Sequence, residues 1–276
     1  MNRRWRRAGV LLLLAMCLAL AQEIAPPLGV DEVRQLYARE VDRRLDVPRE
    51  EASRYAALAQ AAFDRSNLVL EAAQYVLAVD RDPWVQAALL FWRSRRGEWL
   101  LVGASPVSTG LPGTVDHFET PAGVFPHDPA NLDFRSRGTP DAEGIRGWGR
   151  EGLRVFDLGW QRVPKGWGDG LAVDMLLQLH ATDPDVLEPR LGTAQSRGGI
   201  RIPATLDAFL DRHGLLDADY LAPGADPRVA WVLAPDRDAV QDPGRYVVVV
   251  DSQRQDRPEW SPIPWRPHRS PAPVRR

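Results

Sequence analysis

Two hydrophobic patterns divide the chain. In its first quarter apolar residues recur every three or four positions. Over Asp31–Leu45, residues Val33, Leu36, Tyr37, Val41 and Leu45 fall on one helical face. Pro48 opens a second helical stretch, with Glu50 and Glu51 in its first turn, where the helix dipole favours acids. Its stripe is Ala52, Tyr55, Ala59, Ala62 and Phe63. This N-terminal helical segment, residues 31–66, is expected to pack on the main domain as a helical pair; the alternative is a separate binding module.

From Gln74 onward the apolar residues run together in short blocks bounded by turn chemistry, as in strands. Tyr75–Val79, Val85–Trp92 and Trp99–Gly103 read as three such strands. The turns between them are Asp80-Arg81-Asp82-Pro83 and Arg95-Arg96-Gly97-Glu98, which predicts antiparallel pairing. Val107-Ser108-Thr109-Gly110 and Thr120-Pro121-Ala122-Gly123-Val124-Phe125 read as tight turns beside strands, with an enlarged loop between them. Residues 128–170 are rich in Gly, Arg, Pro and Trp and show one strand, Leu153–Leu158, which predicts a functional lid. Pro203 starts a helix carrying Leu206, Ala208, Phe209 and Leu210, and Gly214 ends it. A short strand is expected at Val229–Leu233. The unbroken run Tyr246–Val250 predicts a strand buried on both faces. Arg and Pro dominate from Gln253, so residues 253–276 read as a disordered tail.

Composition adds little to this outline until the N-terminus is considered. At 276 residues, with 44% hydrophobic and 26% charged residues, the chain is long enough to bury a full core. A net charge of −2 supplies no field toward nucleic acid or anionic membrane. Arg3, Arg4, Arg6 and Arg7 precede the apolar run Val10–Leu20 and the small-x-small triplet Ala19-Leu20-Ala21. That order predicts a secretory signal peptide over residues 1–21 and a leader over 22–30, with retention as an anchor the alternative. The expected setting is the periplasm or cell envelope, with no membrane attachment after cleavage. Cys17, the one cysteine, lies inside the signal, so the mature chain would contain no thiol.

The chemistry concentrates between Gln178 and Arg201. His180 closes an apolar run (Leu176, Leu177, Leu179), and residues 181–195 separate it from Ser196-Arg197-Gly198-Gly199-Ile200-Arg201. A strand-borne His, a spacer of this length and a Ser-x-Gly-x-Ile-Arg turn resemble the signature of the L,D-transpeptidase catalytic-domain family. His180, Ser196, Gly198, Ile200 and Arg201 match it, while Arg197 stands at the family's second His and Gly199 at its cysteine nucleophile. The Ser-Thr-Gly and Thr-Pro-x-Gly-x-Phe turns add to the resemblance, which covers roughly residues 74–251.

The resemblance implies a mainly β fold with peripheral helices (α+β), an L,D-transpeptidase-like β-sandwich, with a loop in the 128–170 region covering the site. It also implies acyl transfer on peptidoglycan stem peptides through a cysteine thiolate. Gly199 supplies no nucleophile, and Arg197 stays protonated and cannot act as a base. Loss of nucleophile and base removes a factor of about 10⁴ or more in rate. The expected function is therefore stem-peptide binding with transpeptidase activity lost or severely impaired. One alternative is an active enzyme using a substitute nucleophile such as Ser196, with His180 as base. Another is an interaction module in the cell envelope.

Arg197, Gly198 and Arg201 are the expected substrate-binding positions, because guanidinium groups pair with carboxylates in bidentate geometry. Arg146 and Arg150 are candidates above the cleft, and Trp148, Trp160 and Trp167 for its walls. The expected partner is peptidoglycan or a cell-wall enzyme, not nucleic acid. No cofactor is implied: no P-loop or dinucleotide fingerprint is present. A metal is not expected either. His117, His127, His213 and His268 lack ligand spacing, and Asp183-Pro184-Asp185 reads as an acidic turn.

Overall fold

β-branched and aromatic runs pair into two sheets in the computed structural model, which describes residues 28–265. Nine strands are described: β1 (Gln74–Asp80), β2 (Ala87–Arg93), β3 (Trp99–Pro106), β4 (Gly123–Pro126), β5 (Phe134–Arg135), β6 (Arg154–Pro164), β7 (Ala172–Ala181), β8 (Ile200–Ile202) and β9 (Tyr246–Val250). One sheet has the order β3-β2-β1-β9-β4, the other β5-β6-β7-β8. Three helices flank them: α1 (Val30–Glu40), α2 (Arg49–Arg65) and α3 (Ala204–Arg212). The architecture is mainly β with peripheral helices. The segments expected to be a signal peptide (1–21, with Cys17), the leader up to residue 27 and the tail beyond residue 265 lie outside the described residues.

β1, β2 and β3 form the expected antiparallel meander. β9 lies parallel to β1 and antiparallel to β4. Its position inside the sheet explains its unbroken valines. Val247 and Val249 enter one core, while Val248 and Val250 enter another on the opposite face. The first core is shared between the sheets: Leu77 and Val79 of β1 meet Phe156 and Leu158 of β6 and Leu177 and Leu179 of β7.

The two N-terminal helices do not form a pair. Val33 and Tyr37 of α1 belong to the core shared by both sheets, whereas Tyr55, Ala59 and Phe63 of α2 cover the other face of the first sheet. Each helix buries its own stripe against a different sheet face, which removes more apolar surface from water than helix–helix contact alone. α1 also stops earlier than its pattern predicts. Val41 is extended (φ −94°, ψ 117°), and the Leu45 amide donates to the carbonyl of Ala104 at 2.8 Å. Pairing with the edge of β3 overrides the helical period.

Four further expectations are corrected. Val85 lies in the turn before β2, where Gln86 takes φ +49° and its side chain donates to Arg81 O. The region 128–170 is not one long lid. β6 continues to Pro164 and pairs with β7, across a bulge between Asp157 and Trp160 where Gly159 adopts φ +79°. That bulge breaks the alternation and hides the second half of the strand from sequence reading. The irregular part is residues 136–152, pinned at its base by Ser136 N to Leu153 O and Gly152 N to Ser136 O. Val229–Leu233 is not a strand. Asp226 caps a short 3-10 turn at Pro227–Val229, and Val229 and Val232, three apart, point to a small cluster with Tyr220. Finally, residues 253–265 are not a disordered tail. Trp260 packs edge-on against Tyr55 at 5.7 Å, and Ser261 Oγ donates to Trp84 O.

Candidate functional site

β7 and β8 are parallel neighbours in which His180 lies opposite Arg201. The site grows from that pairing. Ser108 exchanges backbone hydrogen bonds with Arg201, and the Thr109 carbonyl accepts from the amides of Gln195 and Ser196. Thr120 joins the remaining turn: its Oγ1 accepts from Gly110 N at 2.8 Å and donates to Gly198 O at 2.7 Å. Three stretches that are distant in sequence thus meet at one buried hydroxyl.

The two glycines of the central turn differ in kind. Gly198 sits at φ +127°, and a Cβ built there would lie 2.3 Å from Met175 Sδ, so the position needs glycine. Gly199 is not in the left-handed region. A Cβ there would lie 3.5 Å from His180 Nε2 and 3.1 Å from Gln178 O. The backbone therefore accepts a side chain at 199 after a small adjustment of Gln178, and that side chain would face the imidazole.

His180 is buried, and its Nδ1 lies against the carbonyl of Ala181. A carbonyl only accepts, so Nδ1 carries the proton and Nε2 presents its lone pair to the slot at Gly199. Burial pushes the imidazole pKa down to about 4, and the Arg201 charge adds to the effect. The ring is therefore neutral at pH 7. Ser196 is committed elsewhere. Its Oγ donates to Gly199 O and accepts from Gly198 N at 3.0 Å, so its proton is directed into its own loop and not at His180.

These groups border a cleft of about 640 Å³ whose walls include Trp148, Gln178, Arg190, Arg197 and Arg201. Arg201 is half-buried and donates to Gln195 O at 3.3 Å. Burial, then the charges of Arg197 and Arg190, lower its pKa to about 10, so it remains cationic at neutral pH. Arg190 stacks on Trp265, with 4.5 Å from its guanidinium carbon to the ring centroid. Among the described residues no carboxylate is ion-paired with any of the three. The carboxylate of Asp141, also in the wall, accepts from the amides of Glu143 and Ile145.

Not every candidate reaches this cleft. Arg146 turns away to Asp183 and Asp185, at 3.5 Å from each, and Arg150 is exposed outside it. Trp148 forms part of the wall, its Nε1 donating to Gln178 Oε1 at 3.3 Å. Trp160 is 67% exposed elsewhere, and Trp167 packs against Phe118 at 4.9 Å. Asp183 closes its turn by accepting from the amides of Asp185 and Val186. Among the described residues no group of three or more His, Cys, Asp or Glu is placed to hold a metal ion.

Sequence reading missed His117 and Arg190 in the cleft wall, because loop folding alone brings them there. It also missed a buried ionic assembly behind the site. Arg154, fully buried, donates to Asp133 at 2.6 Å and to both oxygens of Asp217 at 2.9 Å. His127 bridges Leu216 O and Asp133. Burial alone would lower the His127 pKa, but the charge and hydrogen bonds of Asp133 overcome it and the value is raised. Asp207 links this assembly to the site, accepting from the amides of Arg154 and Ala181, both at 3.1 Å. A scan against models of protein families finds no match for this chain, and a search of curated proteins finds none either.

Proposed function

We propose that this chain is a cell-envelope protein with an L,D-transpeptidase-like domain that binds peptidoglycan stem peptides and has lost cysteine acyl transfer. The observation that carries this reading is the slot at residue 199, where a Cβ would lie 3.5 Å from the unshared Nε2 of a neutral His180. A thiol in that slot could hand its proton to the imidazole, but glycine leaves it without a nucleophile. Two sheets sharing one core fit the β-sandwich of that family. Ser196 is a poor substitute, since its hydroxyl already holds the loop together.

Binding does not need the missing sulfur. Arg190, Arg197 and Arg201 present three cationic groups to one cleft, and stem peptides carry carboxylates that such groups bind through charge-assisted hydrogen bonds. Co-sedimentation with purified sacculi tests the reading. The wild-type chain is expected to be retained, and Arg201→Gln to weaken retention about tenfold, the loss of one charge-assisted hydrogen bond. Retention no better than that of an unrelated exported protein of similar charge would sink it.

A further inference from the structure

A second cavity, of about 630 Å³, opens beside the first; Thr139 and Trp148 line both. Its walls are aromatic, formed by Phe134, Trp148 and Trp231, with Arg137 and Thr139 alongside. Trp148 is 46% exposed and Trp231 59% exposed. The Trp148 indole is nevertheless anchored, and so is the backbone beside Trp231. Phe134 meets Trp148 edge-on at 5.3 Å and 90°, and the Trp148 ring nitrogen is tied to Gln178. Next to Trp231, the carbonyl of buried Val232 accepts from Arg135, whose guanidinium is also held by Asp211 at 2.8 Å. Exposed tryptophan faces on anchored backbone, grouped around one cavity, mark a binding site and not ordinary surface.

We propose that this cavity binds a saccharide, stacking the apolar face of a pyranose ring on the indoles of Trp148 and Trp231. A pyranose combines a face of C–H groups with a rim of hydroxyls, which suits flat aromatic walls beside polar side chains. Arg137 and Thr139 are exposed and supply hydrogen bonds to the rim, whereas Arg135 is consumed by Asp211 and Val232. An extended peptide fits less well. The strand edge at this cavity is β5, only two residues long, too short to template an added strand. The shared wall places a saccharide next to the arginine cleft. In the setting of the proposed function, on which this assignment of source rests, the sugar is the glycan strand and its attached peptide enters the cleft.

The test is fluorescence titration with two separate probes, a soluble β-1,4-linked N-acetylglucosamine oligomer without peptide and a stem tetrapeptide without sugar. Tryptophan emission should change saturably with the oligomer. Trp231→Ala should weaken that binding at least about tenfold, Trp231→Phe less, and Arg201→Gln not at all. The tetrapeptide should show the reverse pattern. Because the Trp231 ring is exposed, its alanine variant should melt with the wild type, separating loss of binding from loss of fold. No saturable change with the oligomer, or unchanged affinity in Trp231→Ala, overturns the proposal. So does binding of a proline-rich peptide at Trp231 in place of the oligomer. Oligomer binding without tetrapeptide binding keeps the saccharide site and rejects the stem-peptide reading; the opposite result does the reverse.

Discussion

At residue 199 the lack of a side chain is not a demand of the backbone, and that separates it from its neighbour. Gly198 takes a left-handed conformation against Met175, while Gly199 does not and has space facing His180. Gly199→Cys combined with Arg197→His should therefore fold and present a thiol to the imidazole. Incubation with a stem tetrapeptide or a carbapenem should then give a covalent adduct by mass spectrometry, and the wild-type chain none. An unmodified mass in the double variant would mean that more than the reactive groups has been lost. His180 offers a second check through pH. Its folded pKa, about 4, lies below the ordinary 6.5. Stability is therefore present in full above pH 6.5 and is lost as pH falls toward 4, because the unfolded chain takes up a proton that the folded one refuses. In denaturant titrations, wild type minus His180→Gln should decline by about 3 kcal/mol over that interval. A flat difference would mean that the ring is not buried as a neutral group.

At the level of elements, the site is a junction of turns, and Thr120 is its fastener. Its hydroxyl holds Gly110 from one turn and Gly198 from another, in full burial. Thr120→Val keeps the volume and removes both hydrogen bonds, stranding a buried amide and a buried carbonyl. We expect a loss of about 1–3 kcal/mol in unfolding free energy. Thermal melting checks this, and an unchanged Tm would count against the clamp. The turn residues were only partly legible in the sequence: Thr-Pro-x-Gly-x-Phe reads as a tight turn, yet Gly123–Phe125 belong to β4 and pair with β9. Element ends were less so. β6 doubles in length past the Gly159 bulge, and α1 gives up its last turn to pair Leu45 with β3. In both places a tertiary contact replaces the local period.

Across the whole molecule, the least legible feature is the ionic assembly around Arg154. Asp133, Asp211 and Asp217 lie in three different segments, and nothing in an arginine-rich sequence distinguishes Arg154 from the other arginines. In the fold it is fully buried and is ion-paired with all three carboxylates. Removing it leaves Asp217 in the interior without its hydrogen-bonded cation, while Asp211 keeps Arg135 and Asp133 keeps His127. Arg154→Ala should therefore destabilise the chain by about 3–5 kcal/mol, measured by chemical denaturation. A loss below about 1 kcal/mol would show that water reaches the carboxylates. Because Asp207 connects Arg154 to Ala181, and Ala181 orients His180, the variant should also disturb the cleft.

Residue identity and spacing alone determined that residues 31–40 and 49–65 are helical, that Tyr246–Val250 is an interior strand, and that position 199 holds no reactive group. These properties are local, set by backbone preference, hydrophobic period and side-chain chemistry. Only the tertiary structure decided that α1 and α2 cover opposite sheet faces and that Ser196 turns into its own loop. It also decided that His180 is neutral, that three arginines share a cleft and that Trp148 divides two cavities. Each of these depends on burial and on contacts between residues far apart in the chain, and neither is written in the neighbourhood of any one residue.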